Sequence, residues 1–172
     1  MNPTRHFAWI AAALVIACPA RAAEEADAER IADLDRYWAE VSRSVGEGDF
    51  DAYRATCHEE GILVSGIRGK STPLSEALAR WKKEFDDTKA GHRQSSVAFR
   101  FSKRIGGDTT AHETGIFRYS FREAGGEPSV EFIHFEALLT KVGERWLILM
   151  EYQKAIATDE EWAALAAKRN TK

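Results

Sequence analysis

Hydrophobic positions along this chain keep two different periods, and the change falls near Lys89. Between Glu24 and Val45, residues Ile31, Leu34, Trp38, Val41 and Val45 recur at steps of three and four, the spacing of one helix face. Gly46 and Gly48 stop that helix. Asp49 can cap a short second helix through about Cys57, with Phe50 and Tyr53 facing inward. Ile62, Leu63 and Val64 then read as a short strand running into a turn from Gly66 to Gly69. Thr72 followed by Pro73 has the form of a cap and a first-turn proline, opening a third helix whose stripe is Leu74, Ala77, Leu78, Trp81 and Phe85.

Beyond Lys89 the alternation is that of strands. Gln94 to Ile105, Thr109 to Arg122, Ser129 to Val142 and Arg145 to Ile156 are predicted as successive strands joined by short turns, hence paired antiparallel. The third, SVEFIHFEALLTKV, is apolar on both faces and is expected at the centre of the sheet. Thr158 with Glu161 forms a capping box that opens a last short helix, in which Trp162 and Leu165 pack back on the body. With Phe121 set opposite Val130, Tyr119 faces Phe132, Phe117 faces His134 and Gly115 faces Glu136. That register puts His134 and Glu136 under the helices beside Val97, Phe99 and Phe101. It leaves Ile133, Phe135 and Leu139 on the uncovered face, where they suggest a homodimer interface; a register one residue over is the alternative and would exchange the two faces.

Residues 1–22 carry Arg5, an apolar run of 11 residues from Phe7 to Ala17 and an Ala20-Arg21-Ala22 cleavage pattern, as a secretory signal peptide does. Val15 to Cys18 also has the look of a lipobox, so acylation at Cys18 stands as the alternative to simple cleavage. Either route takes the protein out of the cytoplasm, to the periplasm in the first instance, with a lipoprotein or extracellular protein as the other outcome. The run is too short to span a bilayer. Residues 23–172 then fit one domain with a sizeable core. Loss of Arg5 and Arg21 takes the formal charge from −3 to −5, and no basic run survives, so nucleic acid is not an expected partner. Cys57 is left as the lone cysteine, without a disulfide partner, and reads as a small buried hydrophobe.

The order of elements, the run Gly48 to Tyr53 leading to Ile62–Val64 and Gly69, and the turn Gly143-Glu144-Arg145-Trp146 before the last strand together resemble the nuclear transport factor two-like superfamily. The nearest flavour is that of the SnoaL-like and DUF4440-type domains of exported bacterial proteins. The resemblance covers about residues 27–156 and implies an α+β, cystatin-like, cone-shaped roll. In it, N-terminal helices pack on a curved antiparallel sheet around a pocket, and dimers are common. Family enzymes such as ketosteroid isomerase place a general-base aspartate near the strand after the second helix. Here Ile62 to Arg68 holds no carboxylate.

The candidate site is therefore a pocket lined by Trp38, Tyr53, Trp81, Phe117, Tyr119, His134 and Glu136. His134 and Glu136 are the candidate acid/base pair, since a histidine beside a carboxylate titrates near neutral pH. His112 and His134 fall on different faces in this register and no metal-binding spacing occurs, so no metal and no cofactor are expected. Two functions follow: an exported domain that binds a small, partly apolar molecule, or a lyase, isomerase or cyclase acting on such a molecule with His134 as base.

Overall fold

Residues 19–169 are described by a computed structural model, in the order α1 (Pro19–Glu47), α2 (Phe50–Ala55), β1 (Cys57–Ser65), β2 (Lys70–Pro73), α3 (Leu74–Lys89), β3 (Arg93–Gly106), β4 (Thr110–Glu123), β5 (Ser129–Val142), β6 (Arg145–Ile156) and α4 (Asp159–Arg169). The leader expected over residues 1–22 lies outside the described residues up to and including Cys18; its remainder begins α1. Among the described residues no helix is long and apolar enough to cross a membrane.

The α1 helix ends at Gly48, whose φ of +67° is open to glycine alone at low cost and whose missing Cβ lets the Phe85 carbonyl approach. Asp49 then caps α2, its carboxylate accepting from the Ala52 amide at 3.2 Å. Thr72 is not the cap of α3, as its position before Pro73 had suggested. It lies in β2 opposite Leu63, and its buried side chain belongs to that hairpin; Pro73 itself stands at the cap position, with no side-chain bond. At the other end the capping box forms as expected, with the Glu161 amide donating to Thr158 Oγ1 at 3.2 Å and the Thr158 amide to Glu161 Oε2 at 2.9 Å.

The six strands make one sheet in the order β2-β1-β6-β5-β4-β3, antiparallel except where β1 runs parallel to β6. Helices α1 to α3 cover its inner face. Leu34, Trp38 and Val41 of α1 form the core with Phe135, Ala137, Leu139 and Ile148 of the sheet. The sheet is bent by β-bulges, with Ser102 extra in β3 and Leu149 and Lys154 extra in β6. Beside the first bulge, Gly115 is needed because a Cβ there would overlap the Arg100 carbonyl oxygen.

The β4–β5 register differs from the expected one by a single step. Phe121 pairs with Ser129, Phe117 with Ile133 and Ile116 with His134, which exchanges the two faces of β5. Ile133, Phe135 and Leu139, expected on a dimer face, lie beneath the helices at 6%, 1% and 0% exposure. The connecting loop is long enough to allow either register. Burial decides between them: each large apolar side chain gains about 1.5–3 kcal/mol inside, whereas His134 and Glu136 would carry polar groups into an aromatic interior. The outer face is itself partly covered, because Trp162 and Leu165 of α4 pack there on Ile116 and Phe132.

Candidate functional site

Curvature of the sheet leaves a cavity of about 900 Å³ between its inner face and the helices. Trp38 forms one wall, its ring 4.4 Å from Phe99 and 5.7 Å from Phe135 between centroids. Tyr53 of α2 forms another, 4.9 Å from Phe85 and 6.3 Å from Trp81 of α3. Phe117 and Tyr119 of β4 complete the aromatic lining. Exposed lining residues, among them Ile67, Arg68, Val130 and Ile156, mark the mouth.

Polar side chains line the cavity as well, among them Thr56, Ser65, Thr72, Ser95 and Gln153. Glu151 of β6 lies in the molecular interior, and the surface it retains faces the cavity. Gln153 Nε2 donates to its Oε1 at 2.7 Å. Burial raises the carboxyl above its ordinary range, and the Gln153 bond offsets only part of that effect. Burial likewise holds the Tyr37 and Tyr53 hydroxyls well above theirs, with the Glu151 charge adding to it. The Cys57 thiol is pushed up to about 12, again mainly by burial, so it stands as a protonated, inert group at the closed end. Tyr37 donates to the Thr56 carbonyl at 3.3 Å. An interior carboxyl beside phenolic hydroxyls can give or take a hydrogen bond, and a proton, with a molecule in the cavity.

A second interior acid has a different office. Glu113 of β4 is fully buried, accepts from Trp38 Nε1 and from Arg104 Nε, and does not line the cavity. Arg104 reaches it because the Ser102 bulge turns Arg104 to the inner face, and the same guanidinium binds Asp35 of α1 at 2.5 Å. Glu113 therefore fixes the Trp38 wall.

Of the residues singled out in the sequence, Trp38, Tyr53, Trp81, Phe117 and Tyr119 line the cavity together. His134 and Glu136 do not: both stand on the outer face, a consequence of the register. His134 Nε2 lies 3.2 Å from Glu161 of α4. Glu136 accepts from Lys154 at 2.6 Å and meets His112 at 3.1 Å, contacts that hold its carboxyl below the usual range, the Lys154 bond first. His112 and His134, expected on opposite faces, share the outer one. Among the described residues no cluster of three or more potential ligands could hold a metal. Glu151 and Gln153 were missed because alternation counted from Ile148 assigns Glu151 to the outer face; Leu149 bulges out, and the face changes with it.

No protein-family model matches the chain, nor does any curated protein. Solved structures do. An NTF-2-like protein of unknown function from Shewanella oneidensis is 21% identical, covering 72% of this chain and 97% of its own, with a TM-score of 0.55. A ketosteroid isomerase-like protein from Erwinia carotovora atroseptica is 15% identical over 72% of this chain and 94% of its own, at 0.54. A putative calcium/calmodulin-dependent kinase II association domain from Exiguobacterium sibiricum is 14% identical over 75% and 94%, at 0.56. Identities this low speak for architecture and not for activity. Helices wrapped by a bent sheet around an open-ended cavity, matched over nearly the whole length of each of these proteins, make this the nuclear transport factor 2-like fold.

Proposed function

We propose that this protein binds one small, largely apolar molecule in the cavity and that Glu151 orients it. The observation that carries this reading is an interior carboxyl, hydrogen-bonded by Gln153 and facing about 900 Å³ of space with aromatic walls. A side chain kept only for stability would be better replaced there by an apolar one, since burying an acid costs several kcal/mol on the order of a lost hydrogen-bonding partner or more. Native mass spectrometry of the purified protein tests the proposal: a retained mass that disappears on denaturation supports it. An unliganded mass, together with failure to bind neutral aromatic probes, would refute it. The leader-like pattern in residues 1–22 supports an exported location for this binding.

A second reading is favoured by the placement of Glu151, an interior carboxyl that lines the cavity together with Tyr53 and accepts from Gln153. A carboxyl raised by burial next to a phenol can act as general acid or base, as in proton transfer during an isomerisation. Glu151 replaces His134 as the acid/base group in that reading. Once a ligand is known, Glu151→Gln separates the two. A binding protein loses about 1–2 kcal/mol of affinity, whereas an enzyme keeps its affinity and loses roughly a hundredfold or more in turnover.

A further inference from the structure

The rim of the cavity carries charge of one sign along one side. Arg68 comes from the turn between β1 and β2, Lys70 from the first position of β2 and Arg80 from the middle of α3; all three line the cavity, and all three are exposed. None of them has a carboxylate partner among the described residues.

For Arg80 this is a departure from its surroundings. Its neighbours on α3 pair one turn ahead, Lys82 with Asp86 at 2.8 Å and Lys83 with Asp87 at 2.5 Å. Arg80 has Glu84 at the same spacing, yet Glu84 turns across the mouth to accept from the Tyr119 hydroxyl at 3.1 Å and to meet Arg93 at 3.6 Å. Arg93 is satisfied in turn by Glu123 at 2.5 Å. The β3–β4 side of the mouth is therefore internally neutralised. The other acid of the rim, Glu131, lies on β5 opposite Tyr119, two strands away from β1. Arg68, Lys70 and Arg80 are left to face the opening without compensation.

The interior has the opposite character. Glu151 pairs across β1 with Leu63, and three residues of strand from Leu63 to Gly66 set it roughly 10 Å inside the rim. An anionic group is stabilised better at the cationic mouth than beside the Glu151 carboxyl, while an apolar body fills the aromatic part between them. We infer that the ligand is an amphipathic organic anion: its acid group lies at the mouth between Arg68, Lys70 and Arg80, and its apolar body extends inward to an uncharged polar group at Glu151. This rests on the cavity being a binding site, as proposed above, and adds the charge and direction of the molecule.

The test uses two probes that differ by one charged group, 1-anilinonaphthalene-8-sulfonate and the neutral N-phenyl-1-naphthylamine. Affinities are measured by calorimetry on the wild type, on Arg68→Ala/Arg80→Ala and on Arg68→Lys/Arg80→Lys. The wild type is expected to bind the sulfonate at least tenfold more tightly than the neutral probe. Saturating neutral probe should block the sulfonate, and raising salt from low to about 1 M should erode the preference, as the Debye length falls to about 3 Å. In the alanine variant the preference collapses toward one, and in the lysine variant most of it remains. Equal affinities in the wild type, or a preference unchanged in the alanine variant, would overturn the anion assignment while leaving the cavity reading in place. Sulfonate binding that the neutral probe does not block would place the anion elsewhere and overturn it too. If neither probe binds, the cavity reading falls and this one with it.

Discussion

Glu113 and Glu151 stand on either side of Ala137 in a single row across the sheet, each paired with it in backbone register. Two acids of the same type in neighbouring positions thus meet opposite fates. Glu113 is saturated by Trp38 and Arg104 and belongs to the scaffold. Glu151 has one neutral side-chain donor and an open space before it.

Glu113→Ala should therefore destabilise the fold by about 3 kcal/mol, because it strips a buried partner from Arg104 and leaves the Trp38 indole N–H without an acceptor. Asp35 keeps part of the Arg104 charge compensated, which holds the loss below the worst case. Urea unfolding followed by tryptophan fluorescence measures it. A loss under 1 kcal/mol would show that Glu113 is not the brace of that wall.

The pH dependence of Glu151 has a definite sign. Its carboxyl is raised in the folded protein from an ordinary value of 4.5, so the folded form holds the proton after the unfolded chain has released it. The associated stability is complete below about pH 4.5 and is lost as pH rises through the folded value. Against wild type, Glu151→Gln should gain relative stability as pH rises above about 4.5, read from thermal unfolding at each pH. A difference that stays flat over that rise would contradict the assignment.

His134→Ala should leave probe affinity unchanged, since the imidazole lies outside the cavity wall. Its partner Glu161 is 49% exposed and His134 itself 35%, so the lost contact is worth about 0–1 kcal/mol at most. Titration of the neutral probe gives the first quantity and urea unfolding the second. A tenfold loss of affinity would put the outer-face placement of His134 in error.

Thr158→Ala removes the Oγ1 acceptor that the Glu161 amide uses, at a cost of about 1 kcal/mol to the start of α4. Because Trp162 and Leu165 of that helix cover Ile116 and Phe132, loosening it uncovers an apolar patch on the outer face. Faster proteolytic cleavage near residue 158 and a rise in self-association at high concentration are the expected readouts.

The sequence pattern carried α1, α3 and the four long strands because their apolar spacing persists over many residues; β5 and β6 end where alternation placed them. Other parts depend on pairings that leave no local trace. The four residues of β2 are too short to show a period, and the parallel seat of β1 beside β6 joins segments far apart in the chain. The β4–β5 register was open because the loop between them, from Ala124 to Pro128, does not impose one. The five aromatic pocket residues were legible, since they come from helices and from a strand whose face was assigned correctly. His134 and Glu136 were misplaced because a one-step slip in β5 reverses its face, and Glu151 was missed because an extra residue in β6 brings it inward.

The Leu149 bulge makes the acid in the cavity a matter of counting. Ile148 and Glu151 both face inward although three positions separate them, because Leu149 takes no partner of its own. Run without the interruption, the same letters would turn Met150 inward and Glu151 out, taking the carboxyl from the interior. Relatives should accordingly be aligned through β6 by the presence of the extra residue and not by amino-acid identity. In a chain that lacks it, the inward polar position falls two places after the counterpart of Ile148, and an alignment drawn without a gap would compare a cavity residue with a surface one.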